Sequence, residues 1–103
     1  MTAAPTAKAY VINEIVVTDP DSYAEYAKLA KPTVEAFGGR YMVRGGGGQA
    51  LVGEPPAARI VVLEFPDRQA ALDWRDSPEY QSALLIREAA STSRVYIVDG
   101  VAP

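Results

Sequence analysis

Arg59-Ile60-Val61-Val62-Leu63-Glu64-Phe65-Pro66 is the stretch whose reading decides the fold. It is an almost continuous apolar run with one carboxylate near its end, and Pro66 stops it as a strand because proline brings no N–H to a ladder. The other segments read as elements placed around this central strand: an earlier strand, a glycine-rich hairpin leading in, two helical segments and a closing strand.

Lys8 to Thr18 (KAYVINEIVVT) is β-branched and aromatic, without glycine or proline, and reads as the first strand. Its alternating sets are Val11, Asn13, Ile15, Val17 and Tyr10, Ile12, Glu14, Val16, so both faces are expected to be covered. Asp19-Pro20 then supplies a capping carboxylate and a proline at the first helical position. Tyr23, Tyr26, Ala27, Ala30, Val34 and Phe37 follow at helical spacing, and Gly38-Gly39 ends the helix. Pro32 lies inside it, where proline costs about 3 kcal/mol, so a kink or break is expected near Ala30–Lys31.

Arg40 to Arg44 alternates as a second strand, with Tyr41 and Val43 on one side and Arg40, Met42 and Arg44 on the other. Gly45 to Gly48 interrupts it. A phosphate-binding loop needs a strand–loop–helix context and a following Lys-Ser/Thr, both missing here. A hairpin or bulge before a short edge segment, Gln49 to Val52, is the better reading. Beyond Pro66, Asp67 caps a helix carrying Ala70, Ala71 and Trp74 inward. Ser77-Pro78 restarts that helix with Tyr80, Ala83, Leu84, Arg87 and Ala90 on its inner face. Arg94 to Asp99 is the last strand.

The order strand, helix, strand, strand, helix, strand describes an α+β domain. Two helical segments lie on one face of a four-stranded antiparallel sheet of order 4-1-3-2, the split β-α-β arrangement. The helices are expected to take Val11, Ile15, Val17, Tyr41, Val43, Val61, Leu63 and Phe65. The far face is left with Tyr10, Ile12, Glu14, Met42, Arg44, Ile60, Val62, Glu64 and Ile97. So much apolar surface calls for a cover, and a second copy of the sheet is the economical one.

With 103 residues the chain is one domain, read as residues 8–103 behind a loose tail at Met1 to Ala7 that lacks the apolar core of a signal peptide. No apolar run approaches the roughly 20 residues that span a bilayer. A net charge of −3 without a basic block makes nucleic acid and anionic membranes poor partners. The absence of cysteine and histidine excludes disulfides, thiolate nucleophiles, Ser-His-Asp and Cys-His mechanisms and nearly all transition-metal sites. No metal or other cofactor is expected, and the composition fits the cytosol.

Several blocks together carry a family resemblance: Tyr10-Val11-Ile12-x-Glu14-Ile15, Asp19-Pro20-x-x-Tyr23, Gly38-Gly39-Arg40-Tyr41-x-Val43-Arg44-Gly45-Gly46, Val62-Leu63-Glu64-Phe65-Pro66, Trp74-x-x-Ser77-Pro78-Glu79-Tyr80-Gln81 and Arg87. From about Lys8 to Val101 the chain resembles the domain-of-unknown-function 1330 family, within the dimeric α+β barrel superfamily of ferredoxin-like folds. The resemblance implies a homodimer whose two sheets form a barrel. It implies no activity. Wider relatives include cofactor-free monooxygenases, muconolactone isomerase and haem-degrading enzymes, several of which use a histidine that this chain lacks.

The candidate site read from the residues is Glu14, Glu64 and Arg44. One carboxylate, desolvated and raised in pKa, would be a general base, and the arginine would hold a substrate carboxylate or a developing enolate. The alternative is a structural ion-pair network that orients the dimer. Arg87 with Trp74 and Tyr80 would form an aromatic mouth with an anion anchor, or else core packing and an interface pair. Tyr10 and Tyr26 are candidate donors to a ligand, whereas Asn13 reads as a satisfied core polar group. Two functions remain. One is a cofactor-independent isomerase, lyase or monooxygenase acting on a small carbonyl or aromatic acid; the other is a non-catalytic homodimeric module that binds a metabolite or supports an assembly.

Overall fold

In the computed structural model, which describes residues 7–103, the elements are β1 (Ala9–Val17), α1 (Pro20–Ala36), β2 (Arg40–Gly46), β3 (Arg59–Phe65), α2 (Arg68–Asp76), α3 (Pro78–Ala90) and β4 (Ser91–Asp99). Of the tail expected at Met1 to Ala7, only Ala7 belongs to the described residues. Each helix begins where a side chain closes its first turn. Asp19 accepts from the Ser22 N–H at 3.2 Å, Asp67 from Ala70 at 2.8 Å and Ser77 from Tyr80 at 3.3 Å. Ser77 also ends α2, so the second helical segment is two helices that meet at one extended residue. Among the described residues no helix is long and apolar enough to cross a membrane.

The four strands form one antiparallel sheet in the order β2-β3-β1-β4, which is the expected 4-1-3-2 read from the other edge. The core lies between its helix side and all three helices. Ala9, Val11, Ile15, Val61, Leu63 and Phe65 meet Tyr23, Tyr26, Val34, Trp74, Tyr80 and Leu84 there. Aromatic rings form its spine: Trp74 packs 5.2 Å from Phe65 and 4.0 Å from Tyr80, and Tyr80 lies 6.3 Å from Tyr26, centroid to centroid. Such pairs contribute about 0.5–1.5 kcal/mol each beyond the area they bury.

Several expectations need correction. The helix α1 runs through Pro32 without a break. The carbonyl that Pro32 leaves without a helical donor belongs to Lys28, an exposed residue on the solvent side of the helix. Gln49 to Val52 forms no strand and lies in the loop between β2 and β3. Ile97 stands opposite Val11 and packs toward the helices, leaving Tyr96 and Val98 on the far face. The largest change is in β2, whose pairing with β3 shifts register between Tyr41 and Val43 and again between Arg44 and Gly46. A one-residue shift turns every following side chain over. Val43 therefore faces Val62 on the far side, and Arg44 faces Val61 on the helix side, the reverse of plain alternation.

Gly39 joins α1 to β2 where no side chain fits. A Cβ there would sit 2.6 Å from Cε1 of Phe65 and 2.8 Å from Cγ1 of Val34, both core atoms. Gly39→Ala is expected to cost about 1–3 kcal/mol through overpacking, read as a lower denaturant midpoint at unchanged slope. An unchanged midpoint would contradict this tight junction.

Candidate functional site

The helix side of the sheet holds two arginines that alternate with core residues. Arg59 shares its face of β3 with Val61, Leu63 and Phe65, and the bulged register of β2 turns Arg44 to the same side. Gly45 (φ 85°) makes room for Arg59, since a Cβ there would lie 2.5 Å from its Nη1. The Arg59 guanidinium lies 4.8 Å from the centroid of the Tyr23 ring, and that of Arg44 lies 4.7 Å from the centroid of Tyr41. Tyr23, Arg44 and Arg59, with Val17, Pro20 and Ala24, border an open hollow of about 490 Å³, counted as space open to the centre of a water-sized group. Tyr23, Ala27, Arg44 and Arg59 also wall an inner cavity of about 20 Å³ on the same measure, which reaches Asn13, Tyr26, Tyr41 and Trp74. The inner space holds about one water or one polar head group, so the body of any larger ligand lies in the outer hollow.

The charges around these two spaces are one-sided. No acidic residue lines either space, and among the described residues neither Arg44 nor Arg59 pairs with a carboxylate. Nε of Arg59 is buried without a hydrogen-bond acceptor. Deeper in, Arg87 is only 5% exposed and likewise has no carboxylate; its Nη1 donates to the Tyr80 hydroxyl at 3.0 Å, and its Nε has no partner. The Tyr80 and Tyr26 hydroxyls are 2.9 Å apart. Burial holds the Tyr26 hydroxyl well above the usual phenol range, with neighbouring Tyr80 adding to the effect and Arg87 opposing it. The Tyr26 hydroxyl therefore keeps its proton at neutral pH. Asn13 donates through Nδ2 to the Val61 carbonyl at 3.1 Å, which orients its carboxamide, while its Oδ1 receives no donor among the described residues. Trp74 donates to Thr33 Oγ1 at 3.0 Å and is otherwise held by the aromatic spine. Such a site can bind an anionic group at its mouth and a neutral or oxyanionic acceptor at its inner end.

The site residues read from the sequence thus divide between two faces. Arg44 and Trp74 line the inner cavity, and Tyr80 and Arg87 stand behind Tyr26. Tyr10, Glu14 and Glu64 are on the opposite face. Glu64 pairs in register with Tyr10 and Glu14 with Ile60, which separates the two carboxylates by four residues of β1, about 13 Å at roughly 3.3 Å per residue. Glu14 is met by the Tyr96 hydroxyl at 3.2 Å and by Arg94 at 3.7 Å. Glu64 accepts from Arg40 Nε at 2.8 Å, the Tyr10 hydroxyl at 3.0 Å and Lys8 Nζ at 3.3 Å. The bond from Arg40 is the main reason that its carboxyl is held below the usual range, against the upward push of burial. A general base needs the opposite shift.

Arg59, Tyr23 and Asn13 were not read as site residues. For Arg59 the signal was present, because it has the same parity as Val61, Leu63 and Phe65 and so puts a cation on an apolar face. A carboxyl with a depressed folded-state pKa contributes stability that is complete above its unfolded value, near 4.5, and is lost as the pH falls through the lower folded value. Glu64→Gln is accordingly expected to lower the melting temperature at pH 7. The gap to the parent should close as the pH drops below about 4.5. A gap that stays constant down to the acid limit would contradict the ion-pair account of Glu64.

Comparison with known proteins agrees with this architecture. Residues 8–101 match the family described as a domain of unknown function, DUF1330. No curated protein matches the chain. Among solved structures, a protein of unknown function from Rhodopseudomonas palustris is 21% identical with a TM-score of 0.78, the match covering 97% of this chain and 87% of that one. A dimeric ferredoxin-like protein of unknown function from Thermobifida fusca is 14% identical, with a TM-score of 0.62 and 96% of each chain covered. SnoaB, a cofactor-independent oxygenase from Streptomyces nogalater, is also 14% identical, with a TM-score of 0.60 and coverage of 90% and 92%. The ferredoxin-like α+β fold is common to them, and by its family match the chain belongs to the DUF1330 family.

Proposed function

We propose that this protein is a homodimer that binds a small aromatic or carbonyl acid on the helix side of its sheet. One observation carries the reading: among the described residues, Arg44 and Arg59 stand without carboxylate partners at the mouth of an aromatic-walled cavity. Arg59 is half-buried with its Nε unpaired among the described residues, and such a guanidinium lowers its energy by meeting an anion. Exposed Arg44 adds a second cation beside it, and Tyr23, Tyr26, Tyr41 and Trp74 offer ring faces to a planar ligand. The far face supports the dimer. Val16, Met42, Val43, Tyr96 and Val98 leave between 37% and 50% of their surface exposed there, alongside half-buried Ile12, Ile60 and Val62. In this reading a second sheet covers them, and the Glu64 and Glu14 ion pairs orient the contact.

A second reading, cofactor-independent turnover of the isomerase, lyase or oxygenase type, draws on Asn13 and Tyr26. Both line the inner cavity, where a developing enolate would need polar partners. It also draws on the fold shared with SnoaB.

Calorimetric titration with 4-hydroxybenzoate tests the binding site. A charge-assisted hydrogen bond contributes about 1.5–3 kcal/mol, so Arg44→Ala or Arg59→Ala should weaken binding about tenfold or more. 4-Hydroxybenzyl alcohol, which lacks the carboxylate, should lose a similar amount against the parent protein. Equal affinity of parent and double variant for 4-hydroxybenzoate would overturn the site.

A further inference from the structure

The hydrogens along Arg87, Tyr80 and Tyr26 can be assigned. Arg87 has only donors, so the 3.0 Å contact makes the Tyr80 oxygen an acceptor. Between the two phenols, 2.9 Å apart, either could donate. If Tyr26 donated, the Tyr80 proton would be left without an acceptor on a residue that is 0% exposed. If Tyr80 donates, its proton is used, and the proton left over belongs to Tyr26, which lines the inner cavity. The second arrangement is the stable one. It also runs in the direction that Arg87 favours, because a cation on an oxygen makes that oxygen's own O–H a stronger donor.

From this relay we infer that the inner end of the cavity is an oxyanion site, in which Tyr26 donates to a phenolate or enolate oxygen of the ligand and that anion serves as the missing counter-charge of Arg87. The inference rests on the proposed binding of an acid at Arg44 and Arg59, and it narrows the ligand to one with a second ionisable oxygen: a hydroxylated aromatic acid or an enolisable keto acid. Tyr80 is the positioning residue. It lies behind Tyr26, between that ring and Arg87, and passes on the pull of the buried charge.

The groups facing Tyr26 agree with an anion there. Tyr23 comes from α1, and Tyr80 and Arg87 from α3. Arg75 of α2 lies further back, its guanidinium 5.8 Å from the centroid of the Tyr80 ring. Arg44 and Tyr41 from β2, Arg59 from β3 and the uncharged Asn13 from β1 complete the cavity wall. Three of the groups facing Tyr26 are cations, Arg44, Arg59 and Arg87, and among the described residues that line the cavity none is a carboxylate.

The test uses 4-hydroxy-3-nitrobenzoate, whose phenol ionises near neutral pH with a visible colour change and whose carboxylate reports the mouth separately. Bound to the parent protein, its phenol should ionise about one pH unit below the free probe, which is a tenfold preference for the anion. Tyr26→Phe and Tyr80→Phe should each return that value toward the free one. For Tyr80→Phe, which removes no group from the cavity wall, affinity measured where the phenol is neutral and the carboxylate charged should stay within about twofold of the parent. A shift that survives Tyr80→Phe would overturn the relay while leaving the Arg44–Arg59 site intact. A probe that fails to bind the parent at all would overturn both.

Discussion

An arginine taken out of water needs something negative or strongly polar against it, and among the described residues no carboxylate lines the cavity on the helix side of this sheet; Asp99, on that side, is taken by Arg68. Arg59 is half-buried there and Arg87 is buried against two phenols, and among the described residues each keeps a buried Nε without an acceptor; Arg44 stands on the same side with its side chain exposed. A folded protein does not retain uncompensated buried charge for stability, since a well-packed apolar residue is commonly as good or better. What recommends these cations is what they can hold. The aromatic walls, the narrow inner cavity and the protonated Tyr26 hydroxyl all follow the same logic, because each suits a flat, acidic ligand entering charge first or oxygen first.

The opposite face has the opposite character. Its charges are matched: Glu64 lies among Lys8, Tyr10 and Arg40, and Glu14 between Tyr96 and Arg94. Its remaining surface is apolar and open. Satisfied ion pairs amid exposed aliphatic groups suit a contact between protein surfaces, where matched charges fix register and apolar groups supply the driving force. Sheet alternation is the physical device that keeps the two roles apart, as neighbouring residues of one strand serve different faces.

That same alternation explains which parts could be read in advance. The sheet order, the caps at Asp19, Asp67 and Ser77 and the inward faces of the helices follow from local chemistry that tertiary contacts reinforce. The site was only half legible. Parity applied to Arg40–Arg44 put Arg44 beside Glu14 and Glu64, and the bulges, which the glycines permit but whose position they do not announce, moved it to the other side. Arg59 was readable by the same rule that placed Val61 and Leu63. The direction of the Glu64 shift was not, because it depends on Arg40 reaching across from a neighbouring strand. The hydroxyl relay joins residue 26 of α1 to residues 80 and 87 of α3, with β2, β3 and α2 between them in the chain, and only the packing of α1 on α3 brings them together.

The central claim is that ligand and partner use different faces of the sheet, and amide chemical-shift mapping of the labelled protein during titration with 4-hydroxybenzoate tests it most directly. The account predicts that the largest changes gather at Asn13, Tyr23, Tyr26, Arg44 and Arg59. Tyr10, Glu14, Arg40 and Glu64 should stay nearly still. Changes centred on Glu14 and Glu64 instead would contradict it and return the site to the far face of the sheet.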